Sequence, residues 1–225
     1  MEAFRRTRSG FVTRMDANER TIIARVVADV AELLGFETPG PQQRTQDEGS
    51  PTDPAAQARE SEEHADRMRR LAREVDAAFT AGESRGRSEG VSDDLPADPA
   101  LARLLPDGSE DPEIADSLRD LTQETVRDAK GTRLQRVWGD LVGTGGLITV
   151  PAEGAMDWAG ALTDVRLVLA ERLGITDEGS VAAVEELAAG SPDDLTRALA
   201  TLYVALSWLQ ESLVEAMLEE LPDGA

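Results

Sequence analysis

Cysteine is absent from all 225 residues, which excludes disulfides, thiol catalysis, thiolate metal sites and thiol redox sensing together. Basic residues are scarce: 23 Lys and Arg stand against 44 Asp and Glu, a formal charge of −21. A surface of that sign repels a phosphate backbone, so a broad DNA-coating face is excluded. Aromatic residues make up only 4% of the chain, and His64 is the single histidine. It stands among Ser61, Glu62, Glu63 and Asp66. There it lacks the scaffold a general base needs, and no second nitrogen or sulfur at fixed spacing joins it as a metal ligand. No apolar run approaches the roughly 18 residues of a membrane span. The start, Met1-Glu-Ala-Phe-Arg-Arg, leads into no apolar segment, so a secretory signal is not expected and the cytoplasm is the default location.

What is present fits a soluble globular chain: 40% apolar and 30% charged residues, enough for one domain or two small ones. The charge is uneven. Six arginines against three acids leave residues 1–25 at +3, so the remaining 200 carry −24. The basic head, Phe4-Arg-Arg-Thr-Arg, then Ser9-Gly10, then Phe11-Val-Thr-Arg-Met15, reads as a β-hairpin in which glycine supplies the positive φ of a tight turn. Asp16 with Glu19 reads as a helix cap, followed by Ile22, Ile23, Val26, Val27, Val30, Leu33 and Leu34 on one face and by Gly35 as the stop.

From Phe36 to Ala97 the pattern fails: 62 residues hold seven large apolar side chains, too few to offset their ordering entropy. This is an acidic low-complexity linker, with one amphipathic stretch at 55–81 that carries Met68, Leu71, Val75 and Phe79. Helical spacing resumes at Asp98-Pro99. Two helices are expected over 112–142, one opened by Asp111-Pro112 and one capped by Thr122, the second turning Val126, Leu134, Val137, Trp138 and Leu141 inward. Leu147–Val150 is short and β-branched, suited to a third strand beside the hairpin. Helices at 152–173, 177–189 and 192–220 follow, the last with the seam Leu195, Leu199, Leu202, Leu206, Leu209, Leu213 and Met217. The reading is a mainly α protein, a helical bundle with a small N-terminal β-hairpin. Its main domain joins 1–35 to 98–221 across the linker.

Few positions point to chemistry. Gly143-Thr-Gly-Gly146 lacks the Lys-Ser/Thr of a phosphate loop, and the paired acids Asp93-Asp94, Glu185-Glu186, Asp193-Asp194 and Glu219-Glu220 sit where water screens them. Arg166 falls within the apolar stripe of its helix, between Leu162, Leu169 and Leu173, and must be paired or snorkel out. Gln210, at the rim of the last helix's core face, is its expected buried polar partner. Trp208 lies off that seam, on a second face, and suits a partner or homodimer contact. Arg5, Arg6, Arg8 and Arg14 form the basic hairpin, with Arg6 and Arg8 expected on one face. They suit phosphates, an acidic protein surface or simple protection of a strand edge. No catalytic, cofactor or metal site is assigned.

Four strings carry a resemblance: Phe4-Arg-Arg-Thr-Arg-Ser-Gly10, Asp98-Pro-Ala-Leu-Ala-Arg-Leu-Leu-Pro-Asp107, Asp164-Val-Arg-Leu-Val-Leu-Ala-Glu-Arg-Leu-Gly-Ile175 and Trp208-Leu-Gln-Glu-Ser-Leu-Val-Glu215. In order and spacing the chain resembles an actinobacterial family of unknown function that includes AosR-type oxidative-stress transcriptional regulators. The similarity covers about 1–35 and 98–221. It implies a cytoplasmic, non-enzymatic regulator that contacts a stress-response sigma factor. Such regulators are described as sensing oxidant through a disulfide, which this chain cannot form. Two alternatives remain: direct DNA binding through the arginine hairpin, and a carboxylate enzyme with a pocket near Asp164 or Arg166.

Overall fold

A computed structural model describes residues 1–38, 98–106, 112–143, 145–175 and 180–219, with Arg70, Arg73 and Glu74 between them. Apart from those three and Phe36, Glu37 and Thr38, the expected linker and its helix at 55–81 lie outside the described residues, as does His64. The chain opens with strands β1 (Arg5–Thr7) and β2 (Gly10–Arg14), then helix α1 (Ala17–Leu33). Beyond the linker come α2 (Pro99–Leu104), α3 (Pro112–Gly143), β3 (Leu147–Val150), a 3₁₀ turn (Ala152–Gly154), α4 (Ala155–Leu173), α5 (Ser180–Gly190) and α6 (Asp194–Leu218). The protein is mainly helical with a small three-stranded antiparallel sheet.

The sheet order is β1-β2-β3, with Arg6 opposite Phe11 and Phe11 opposite Val150. Gly10 follows the Arg8-Ser9 turn at φ +121, and a Cβ there would stand 2.2 Å from the Val150 carbonyl oxygen. Glycine is therefore required twice over, by conformation and by close approach. Phe4, Phe11, Thr13, Ile148 and Val150 make the buried face. Thr13 remains satisfied there because its hydroxyl donates to the Glu2 carbonyl at 2.6 Å.

Local chemistry sets several helix ends. Asp16 accepts from the Asn18 and Glu19 amides while Glu19 accepts from the Asp16 amide, a complete capping box. At the other end of α1 the Gly35 amide donates to Glu32 and the Phe36 amide to Ala31, with Gly35 at φ +87, a Schellman motif. Asp98 caps α2 through the Ala100 amide, and Asp193 caps α6 through the Thr196 amide.

α3 corrects the sequence reading. One 32-residue helix runs where two were expected, and Thr122 lies inside it instead of capping a second. No proline interrupts 113–143, and an internal threonine costs a helix only a few tenths of a kcal/mol. Val126 is exposed, not inward: among the residues of α3 whose burial is described, the buried ones are Gly131, Leu134, Val137 and Leu141, and α1 packs against this helix. Trp138 is half-buried at the core's margin.

α4 is the central element, touching α1, α2, α3 and α6. Its buried residues (Ala155, Trp158, Ala161, Leu162, Val165, Val168, Leu169) wrap well beyond one stripe, as a helix enclosed by neighbours requires. Trp158 is fully buried, takes the edge of Phe4 at 5.8 Å and donates its indole N–H to Asp140 at 2.8 Å.

Candidate functional site

The hairpin positions its arginines by strand register. Residues opposite one another share a face, so Arg5, Val12, Thr149, Arg14 and Leu147 lie together on the outer side of the sheet. Arg5 donates to Glu2 at 2.8 Å, and Arg14 stands 3.8 Å from the same carboxylate. Arg6 belongs to the opposite face, its guanidinium 5.6 Å from the centroid of Phe11. Arg8 lies in the turn, outside strand alternation, so Arg6 and Arg8 do not share a strand face as expected; Arg5 and Arg14 do. All four arginine side chains are exposed.

Arg166 and Gln210 meet between α4 and α6. The guanidinium donates to Gln210 Oε1 at 2.8 Å and to the Tyr203 hydroxyl at 3.4 Å, and it covers the Tyr203 ring at 5.2 Å. Gln210 completes the group by donating to the Thr163 hydroxyl at 2.8 Å. Both members are half-buried, and Arg166 Nε is buried with no hydrogen-bond partner. The arrangement fixes the register of two helices and leaves one donor unsatisfied.

A second polar group was missed by sequence reasoning. Asp164 is 1% exposed and faces α3, where Lys130 donates to Oδ1 and Arg133 Nε stands 3.6 Å from Oδ2. Arg133 comes this close because residue 160 is glycine: a Cβ there would stand 2.0 Å from the guanidinium. Arg136 pairs with Asp157 one step along, so α3 and α4 are joined by a ladder of opposite charges. The available signal was the wide apolar arc of α4, which implies a covered second face with Asp164 at its rim. The carboxylate oxygens are directed at two cations of a neighbouring helix, which is an arrangement for joining helices. Among the described residues no group of three His, Cys, Asp or Glu could hold a metal ion, and no helix is long and apolar enough to cross a membrane.

The segments that carried the sequence resemblance touch one another. The Phe4 amide donates to the Ser212 hydroxyl at 3.1 Å, tying β1 to α6. Arg172 donates to Asp98 at 2.6 Å and Arg103 pairs with Glu171, clamping α2 to the end of α4. Arg166 and Gln210 close the set. Trp208 takes no part in it: it is 42% exposed on the outer side of α6. At the start of that helix the hydrogen bonds from Thr196 hold the Asp193 carboxyl below its ordinary value.

No curated protein and no solved structure matches the chain. A family model does, over residues 1–217, from ahead of β1 into the last turn of α6. The chain therefore belongs to the family described as domain of unknown function (DUF2017).

Proposed function

We propose that the chain is a non-enzymatic regulator of transcription in the cytoplasm, acting by protein–protein contact with a stress-response sigma factor. The observation that carries this reading is Trp208, a large aromatic left 42% exposed on the surface of α6. The AosR-type resemblance supplies the class of partner. The charge of −21 supports a basic one, because opposite fields speed encounter and suppress wrong partners. The polar groups inside the bundle, Asp164 and Arg166, pair across helix interfaces, in keeping with a structural use. The signal is not thiol oxidation, since the chain has no cysteine. Recovery of partners from a lysate of the source cells, with sigma factors quantified, tests the proposal. Enrichment over an equally acidic control supports it, and equal recovery removes it.

A second reading, direct DNA binding, is favoured by one observation: Arg5, Arg6, Arg8 and Arg14 are exposed on a single hairpin. It requires an affinity that falls steeply with salt and is lost when Arg5, Arg6 and Arg8 are replaced together by Ala. Salt-insensitive binding, or none at low salt, disposes of it.

A further inference from the structure

α6 is enclosed at its start and open at its end. Ala198, Leu199 and Ala200 are three consecutive positions about 100° apart, and all are buried, and α5 packs against this helix. Farther on, the side of the helix that Ala200 occupies comes out to solvent. Trp208 is 42% exposed, Val214 39% and Leu218 56%, and Val204 is half-buried.

Within this open face Val204, Trp208, Glu211, Glu215 and Leu218 succeed one another at intervals of 4, 3, 4 and 3 residues. That is the spacing of a seam that packs a second helix, and at ~1.5 Å per residue it is about 21 Å long. Its ends are apolar and its middle holds two carboxylates. Glu219 extends the acidic row, so Glu211, Glu215 and Glu219 are like charges at i, i+4 and i+8. Glu215 and Glu219 sit at the negative end of the helix dipole, with no basic residue in the last turn. No ion pair reaches any of the three among the described residues. The helix therefore ends in an electrostatic arrangement unfavourable to its own fold, beside an uncovered tryptophan.

We propose that this seam is the docking site for a helix of a partner protein that carries lysine or arginine at its two central seam positions and apolar residues at the flanking ones. The proposal rests on the protein-contact reading above and gives that contact its surface and its chemistry. A second copy of the chain fits poorly: an antiparallel pair centred on Glu211 sets the two Glu211 side chains against each other, and one centred at residue 213 sets Glu211 of each copy against Glu215 of the other. A cationic helix cancels the charge row while its apolar ends cover Trp208 and Leu218.

The test uses the full chain and two synthetic amphipathic peptides with leucine at the flanking seam positions, one with lysine and one with glutamate at the two central positions. The lysine peptide is expected to protect 204–218 from hydrogen exchange, and the glutamate peptide to bind at least about tenfold more weakly. Trp208→Ala lowers the lysine peptide's affinity by at least about tenfold. Glu211→Gln with Glu215→Gln removes the difference between the peptides. Glu185→Gln with Glu186→Gln, exposed on α5, leaves the lysine peptide's affinity within about twofold. Protection elsewhere, full binding to Trp208→Ala, or an equal loss in the α5 control overturns the proposal. So does a concentration-dependent dimer of the free chain that Trp208→Ala abolishes, because a second copy then holds the seam. If the peptide seats on 204–218 but a lysate yields no transcription protein, the seam stands and the regulatory reading falls. If a sigma factor is recovered undiminished by Trp208→Ala with Glu211→Gln and Glu215→Gln, the reading stands and the seam falls.

Discussion

Asp164 brings a charge into a helix interface, and the consequence of neutralising it follows from what it faces. Lys130 and Arg133 keep 16% and 25% of their side-chain surface in water, so they are not wholly stranded when the carboxylate goes. Asp164→Asn is therefore expected to cost about 2–3 kcal/mol, below the figure for a fully buried pair. Lys130→Met in the same background recovers part of that loss by removing one of the two facing cations. Urea unfolding of the parent and the two variants checks both statements. Asp193 gives a different prediction because it is exposed and acts through hydrogen bonds. Its carboxyl is held below the usual value in the folded chain, so its contribution is complete above the unfolded value, about 3.9, and fades as pH falls through the lowered folded value. Asp193→Ala is expected to be less stable than the parent at pH 7 and to converge with it in acid. Asp193→Asn, which still caps, loses less at pH 7 and does not carry this pH dependence. Unfolding measured at steps between about pH 2 and pH 7 decides it.

At the scale of the element, α6 divides into an enclosed half and an open half, and the open half pays electrostatically for its composition. Glu215→Lys ends two like-charge neighbours at once and puts a cation near the helix C-terminus. It is expected to stabilise the chain by about 0.5–1 kcal/mol in low salt, read from the urea midpoint, while weakening the lysine peptide. A surface change that adds stability and removes binding separates this face from ordinary solvent-facing helix. Elements differ also in how far they could be read beforehand. Asp16 with Glu19, Gly35 and Asp98-Pro99 are legible because caps depend on neighbours within four residues. Leu147–Val150 was legible as a strand because β-branching and flanking breakers are local too. The continuity of α3 was not, since Thr122 fits a cap and a helix interior almost equally well. Nor was the exposure of Val126, which depends on where α1 lies. Arg166 with Gln210 could be anticipated from a polar group within an apolar stripe. The Asp164 contacts could not: they depend on α3 crossing α4 at Gly160, a matter of tertiary placement.

For the whole molecule the unequal charge count sets how it answers to salt. If every cation met a carboxylate, 21 carboxylates would still be left over, repelling one another more in the folded chain than in the expanded one. Salt also weakens the favourable pairs, but exposed ones such as Arg5–Glu2 are worth at most about 1 kcal/mol each, and those facing Asp164 lie where ions scarcely reach. Screening of the repulsion therefore dominates. Raising sodium chloride from about 20 mM to about 500 mM, which shortens the screening length from roughly 20 Å to roughly 4 Å, is expected to raise the melting temperature. The same change is expected to slow association of the lysine peptide with α6, because steering by the acidic body is lost. Salt thus acts with opposite signs on folding and on docking. A melting temperature that falls with salt means the ion pairs, and not the excess carboxylates, govern the fold. A peptide on-rate indifferent to salt means the acidic body has no part in bringing a partner to the seam.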